Sequence, residues 1–274
     1  MIASILYPKF ISSPVSSACR ILNRSKVLSV NMSTVPTPII ELREYDIHPD
    51  MVVPYLNETA LSSDVRKTLT PLRVFSVPES GGKLHVATHL YHFAGGYSER
   101  DDRRKNMGNS NEWKEYLSKA RRCMQSQKST IFVEAPLVKE TEGVIGLEMG
   151  NAENNLDMKS STDCILELRR YQLKLGYDTV PNFLELYGEG LPSKLNAPDT
   201  DPSTSLITVM YTELGSLNEV IELWRHGDGT KAMERSRVAA RGASEWKTAI
   251  SKIAGLAVNF TSTIHKPVSW SPIK

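Results

Sequence analysis

The sequence predicts an α+β protein built from two copies of one unit, each running strand, helix, strand, strand, helix, strand, with the sheets of the copies facing each other. Three observations carry this. Glu41-Leu42-Arg43-Glu44-Tyr45 returns as Glu167-Leu168-Arg169-Arg170-Tyr171, 126 positions later. Leu90-Tyr91-His92-Phe93 returns as Leu223-Trp224-Arg225-His226, and Glu112-Trp113-Lys114 as Glu245-Trp246-Lys247, both 133 positions later. The third is one helical stripe drawn twice: Trp113, Tyr116, Leu117, Ala120, Cys123 and Met124 have the same spacing as Trp246, Ala249, Ile250, Ile253, Leu256 and Ala257. A period this long lies far above the roughly 20–50 residues of solenoid repeats, so it marks a duplicated domain. The growth in offset places one short insertion before the third element of the second copy.

The elements follow in order. Residues 39–47 are rich in β-prone residues and stop at His48-Pro49, where proline can open a helix. A first helix is expected over about 50–69. Strands follow over 71–77 and 83–93, joined through Gly81-Gly82. A long helical region over about 98–127 is expected to break at Gly108-Asn109, and a strand over 129–137 closes the copy. In the second copy the strands are expected over 163–173, 205–213, 217–226 and 259–268, and the helical regions over 177–191 and 230–257. Two helices on one face of a four-stranded antiparallel sheet leave the other face open. Pairing the copies sheet to sheet buries both open faces. The expected organisation is a tail over 1–40, domains over 41–138 and 163–274, and a polar, acidic, glycine-containing linker over 139–162.

Composition bounds the function. The chain has 274 residues, 40% hydrophobic and 23% charged, which fits two globular domains. Its net charge is +2, and residues 41–274 alone hold 29 basic and 31 acidic groups, no footprint for nucleic acid. No run approaches the roughly 20 apolar residues of an integral membrane span. Three cysteines show neither a disulfide framework nor zinc spacing. Residues 1–40 hold eight serines and the bases Lys9, Arg20, Arg24 and Lys26, without one acid. That is the composition of a mitochondrial transit peptide, the plainer reading being an unstructured tail. Met32 offers an internal start.

The candidate chemistry is sparse. No phosphate loop, metal motif or nucleophile elbow is present, so no catalytic residue, metal site or cofactor is expected. Gly95-Gly96 and Gly227-Asp228-Gly229 read as turns. Along the third strand, His89 and Tyr91 share a face and are expected to line the space between the paired sheets, with His92 pointing the other way. The corresponding positions of the second copy are Glu222, Trp224 and His226. Arg104 and Arg237 occupy matching places on the long helices and follow Asp101 and Glu234 by three residues, as helix-surface pairs do; the alternative is that they anchor an anionic ligand. His89, Tyr91, Trp224, His226, Arg104 and Arg237 are thus the candidate ligand-binding residues. Trp113 and Trp246, each opening a stripe, are expected to be core anchors and not binding residues.

The opening Glu-Leu-Arg-x-Tyr of each copy, the run Glu213-Leu214-Gly215-Ser216-Leu217-Asn218 followed by Val220, Leu223 and Trp224, and the Arg-rich helices leading to Trp113 and Trp246 resemble the NIPSNAP family over about residues 40–274. The first copy departs most, with Ser80-Gly81-Gly82-Lys83 at the turn and Tyr91 in place of the tryptophan. The resemblance implies a ferredoxin-like, dimeric α+β barrel fold and a mitochondrial protein, in the matrix or membrane-associated. It implies non-enzymatic work through proteins of mitochondria or of the trafficking machinery, in vesicle traffic, mitochondrial homeostasis or mitophagy signalling, and it leaves room for homo-oligomers. It supplies no catalytic residues. The wider superfamily includes haem-degrading and cofactor-free monooxygenases, so a small-molecule-binding enzyme with its site between sheet and helices is the alternative.

Overall fold

A computed structural model describes residues 36–148 and 162–274. The expected transit segment lies outside these residues up to position 35, as does most of the expected linker. The first copy comprises β1 (Ile39–Ile47), α1 (Val52–Leu61), α2 (Ser63–Leu69), β2 (Leu72–Ser80), β3 (Val86–Phe93), α3 (Gly96–Asn109), α4 (Asn111–Ala120) and β4 (Met124–Glu134). A short helix, α5 (Leu137–Glu140), follows. The second copy comprises β5 (Ile165–Leu173), α6 (Thr179–Leu195), β6 (Thr204–Leu214), β7 (Glu219–His226), α7 (Gly229–Gly242), α8 (Ser244–Ala254) and β8 (Ala257–Pro267).

All eight strands form one closed antiparallel barrel in the order β1-β3-β2-β8-β5-β7-β6-β4. Each copy supplies four adjacent strands. The copies join edge to edge twice, through β2 with β8 and β4 with β6, so no sheet edge is left unpaired. The two inner faces meet in the lumen, where Ile40, Leu42, Leu90 and Phe132 of the first copy pack with Leu166, Leu168, Ile221 and Leu223 of the second. Each such side chain, when fully buried, contributes about 1.5–3 kcal/mol. Near one end of the lumen Arg170 bridges the copies, donating to Glu44 at 2.6 Å and to Glu219 at 3.0 Å. Leu147 and Ile273 add to the same apolar filling. Apolar side chains fill the middle of the lumen, a cavity of about 390 Å³ lined by Glu44, Thr88, Arg170 and His265 lies on its side of the sheet, and further cavities lie beneath the helices.

The helices break where local chemistry dictates. The expected break at Gly108-Asn109 falls instead at Ser110, which is extended and whose hydroxyl accepts from the Trp113 amide at 3.1 Å, an N-cap for α4. The region 230–257, expected as one stretch, breaks likewise at Ala243, without a side-chain cap. The first helix divides at Ser62. Gly96 and Gly229 open α3 and α7 with φ of +65° and +74°, and a Cβ at either would meet a backbone oxygen, of Thr37 or Asp163, within 3 Å. Glycine is therefore required at both strand-to-helix turns.

Candidate functional site

Beneath the helices of the second copy lies a cavity of about 590 Å³. Its floor comes from alternate positions on β5 and β7, which put Glu167 and Arg169, and Trp224 and His226, on the helix-facing side. Trp246 and Ile250 of α8 and Phe260 of β8 form its walls, and exposed Arg241, Lys247 and Ser251 lie at its rim.

Two buried carboxylates organise the charges. Glu167 accepts from Arg237 at 2.6 Å and from Ser262 at 2.8 Å, with Arg169 at 3.4 Å and the His226 Nε2 at 3.3 Å. Burial alone would raise its carboxyl, yet the His226 hydrogen bond and the Arg169 and Arg237 charges hold it well below the usual range. Ser236 donates to the Thr204 hydroxyl at 2.9 Å, which sits 2.9 Å from His226 Nδ1. The Glu167 carboxylate can only accept, so His226 Nε2 presents its proton to it. Both nitrogens of His226 are thereby engaged.

Glu222, fully buried on β7, accepts from Tyr171 Oη and Trp224 Nε1, each at 2.6 Å. Arg169 and Lys194 lie 3.5 and 3.7 Å from it. Burial opposes its ionisation, but the Arg169 and Lys194 charges and the two hydrogen bonds keep its carboxyl below the ordinary value. Lys194 projects from the last turn of α6 and places its ammonium 3.8 Å from the Trp224 ring centre and 4.3 Å from that of Trp246. Burial, helped by the Arg169 charge, lowers it to about 7 against the pull of Glu222. With two carboxylates set against Arg169, Arg237 and this half-charged amine, the interior of the cavity is close to neutral.

The first copy repeats half of this arrangement. Glu41 receives Arg43 at 2.9 Å, Arg100 at 2.8 and 3.0 Å and Ser129 at 2.6 Å. Its carboxyl, which burial alone would raise, is pulled down to about 2 by Arg100, Arg43 and Ser129. Arg66 of α2 stands over Trp113 as Lys194 stands over Trp246, with its guanidinium 5.1 Å from the ring centre. Where the second copy has Glu222 the first has His89, fully buried and stacked on Phe75 at 4.3 Å. Burial, with the Arg66 and Arg43 charges, lowers the His89 ring well below its ordinary value, so it is neutral.

The NIPSNAP family model matches residues 40–139 and again residues 166–272. The chain belongs to the NIPSNAP family. Among curated proteins none matches it. Among solved structures, a putative monooxygenase from Fusobacterium nucleatum subsp. nucleatum ATCC 25586 is similar with a TM-score of 0.57 at 9% identity, covering 85% of this chain and 94% of its own. A putative monooxygenase from Lactobacillus acidophilus NCFM gives 0.54 at 10% identity over 84% of this chain and 94% of its own. An anthrone oxidase-like protein gives 0.53 at 13% identity over 85% and 92%. These likenesses show that the NIPSNAP tandem shares the barrel fold of those proteins.

Several expected placements are corrected. His89 and Tyr91 do not line the space between the sheets: they face the helices, packed with Trp113 and Tyr116, and it is His92 and Leu90 that lie on the lumen side. Both faces of β3 are buried, so alternation told the two faces apart without telling which was which. Trp224 and His226 share the helix-facing side and meet in the second cavity, whereas Tyr91 of the first copy lies beneath Arg66. Arg237 does not pair with Glu234 but reaches down to Glu167, and Asp101 pairs with Arg100, not Arg104. Arg104 lines the first cavity. Trp113 and Trp246 are buried core residues, and each also walls its cavity. Sequence reasoning missed Arg66 and Lys194, and it placed Glu222 opposite His89 without giving it a role. The signal for Glu222 was a charged residue inside the otherwise apolar run 220–224 of a strand, whereas Arg66 and Lys194 lie on helices, where no strand pattern could show them. Among the described residues no cluster of His, Cys, Asp or Glu could hold a metal ion.

Proposed function

We propose that this NIPSNAP protein binds a small, uncharged aromatic molecule bearing a hydroxyl or carbonyl oxygen, in the cavity between sheet and helices of its second copy. The observation that supports this most is Lys194, an amine near its midpoint at neutral pH, held over two indole rings in an aromatic-walled cavity whose inner charges nearly cancel. Ring faces take the body of such a ligand, and a half-neutral amine both accepts and donates a hydrogen bond at its oxygen. The likeness to an anthrone oxidase-like protein supports the same ligand class, since anthrone is an uncharged polycyclic ketone. This favours the small-molecule alternative over a purely interaction-based role. The setting we propose is the mitochondrion, supported by the acid-free, serine-rich composition of residues 1–40. Work in vesicle traffic, mitochondrial homeostasis or mitophagy signalling would then run through protein contacts of the ligand-bound form.

The test is calorimetric titration of the full chain with 1-naphthol, beside a Ser251→Trp variant that fills the rim. Saturable binding lost in the variant is expected. Absence of binding, or binding unchanged by Ser251→Trp, overturns the proposal.

A further inference from the structure

The first copy has a cavity of its own, about 550 Å³, and its chemistry differs from that of the second. Buried Arg66 and partly buried Arg43 line its interior, exposed Arg104, Lys114 and Arg121 line its outer part as exposed Arg241 and Lys247 do in the second copy, and no acidic residue lines it. Glu41, the carboxylate paired with Arg43, is also held by Arg100 and Ser129. Arg66 is 2% exposed, yet its guanidinium meets only neutral oxygens, Tyr91 Oη at 2.6 Å and Tyr116 Oη at 2.5 Å, and its Nε has no partner. A buried cation without an anion is strongly unfavourable, and the rings of Trp113 and Tyr116 offset only part of that.

The second copy shows what is missing. There Lys194, in the place of Arg66, and Arg169, in the place of Arg43, share the Glu222 carboxylate. The first copy has neutral His89 at that strand position, so the cations are kept and their carboxylate is gone. The two tyrosines accept from Arg66 and so keep their own O–H protons to donate, that of Tyr116 having only the Thr59 hydroxyl, at a long 3.5 Å, beside it.

We propose that the first-copy cavity is a second binding site, which takes an organic carboxylate with an apolar body. The carboxylate takes the electrostatic place of the absent glutamate, receiving from Arg43 and the Tyr116 hydroxyl in the field of Arg66. The body lies against Met107, Leu117 and Met124, which share the lining. Exposed Arg104 and Arg121 draw the anion in. This site is independent of the reading given for the second copy: Glu222 balances the buried cations of one cavity, and His89 leaves those of the other for its ligand.

The experiment is calorimetric titration of the full chain with 1-naphthoate, with its uncharged counterpart 1-naphthamide, and with inorganic phosphate. 1-Naphthoate is expected to bind at least tenfold more tightly than either comparator. His89→Glu, which restores the carboxylate and removes no cation, should weaken 1-naphthoate at least tenfold without lowering the thermal midpoint. Arg104→Gln, on the exposed rim, should weaken it several-fold with the fold intact. Equal binding of 1-naphthamide overturns the anion site, and phosphate binding as tightly as 1-naphthoate overturns the apolar body. Wild-type affinity in either His89→Glu or Arg104→Gln overturns the assignment to this cavity.

Discussion

Glu222→Gln removes one charge and almost no volume from the fully buried centre of the second copy. The amide oxygen can still accept from Trp224 or Tyr171, so hydrogen bonding is largely kept. What is lost is the anion 3.5 Å from Arg169 and 3.7 Å from Lys194. Breaking a buried pair by removing one partner costs about 3–5 kcal/mol. For a domain of this size each kcal/mol shifts the midpoint by roughly 2–4 °C, giving a fall of roughly 6–20 °C. The loss must also depend on pH. Lys194 titrates near 7 with Glu222 holding its proton on, so the variant releases that proton at lower pH. Between the lowered value and 7 the folded wild type keeps a proton that the folded variant has shed, while both unfolded chains are protonated. Stability of the variant therefore rises relative to wild type across that window, and the gap is constant above it. Thermal unfolding followed by circular dichroism at pH 5 and pH 8 should show the larger loss at pH 5. A loss under about 1 kcal/mol at pH 5, against the 3–5 expected of a broken buried pair, or an equal loss at both values, would refute this account of the charge cluster.

Trp246→Ala should lower stability by about 3–5 kcal/mol, read as a shifted denaturant midpoint, and an unchanged midpoint would contradict its place in the core. Gly190→Ala puts a Cβ 2.6 Å from that of Ala249, where α6 and α8 cross, and should cost about 1–3 kcal/mol by overpacking; thermal melts check it. His265 is buried between Ser76 and Thr263, and burial, with the Arg170 charge, lowers it to about 4. Its unfolded form binds the proton first, so stability present above about 6.5 is lost as pH falls toward 4, by on the order of 3 kcal/mol. His265→Gln should flatten the stability profile in that window, and an unchanged slope would reject the assignment. Residues 1–40 fused to a fluorescent reporter should carry it to mitochondria, whereas a diffuse cytosolic signal rejects the targeting role.

The duplicated strand motif and the twice-drawn stripe made the fold legible, because the first marks a largely buried strand and the second a buried helix face, and both recur at matched spacing. Sidedness was not legible. Every residue of β3 and of β7 is buried, so no solvent-facing register marks the inner face, and Leu90 and His89 compete for the lumen on equal terms. Helix-borne cations were the other loss. Arg66 and Lys194 each sit near the end of a helix, where a basic residue ordinarily complements the helix dipole in water. Only the tertiary fold shows that each turns inward over a tryptophan. The salt-bridge logic of Arg237 failed for a related reason: a sequence neighbour at helical spacing is a weaker partner than a buried carboxylate waiting on the sheet.

The most direct test of the central claim is a crystal structure of the full chain grown with 1-naphthol. The account predicts the ring system between Trp224, Trp246 and Phe260, with its oxygen within hydrogen-bond distance of Lys194 Nζ. Density for the ligand in the barrel lumen, or a second-copy cavity left empty at saturating ligand, would contradict it.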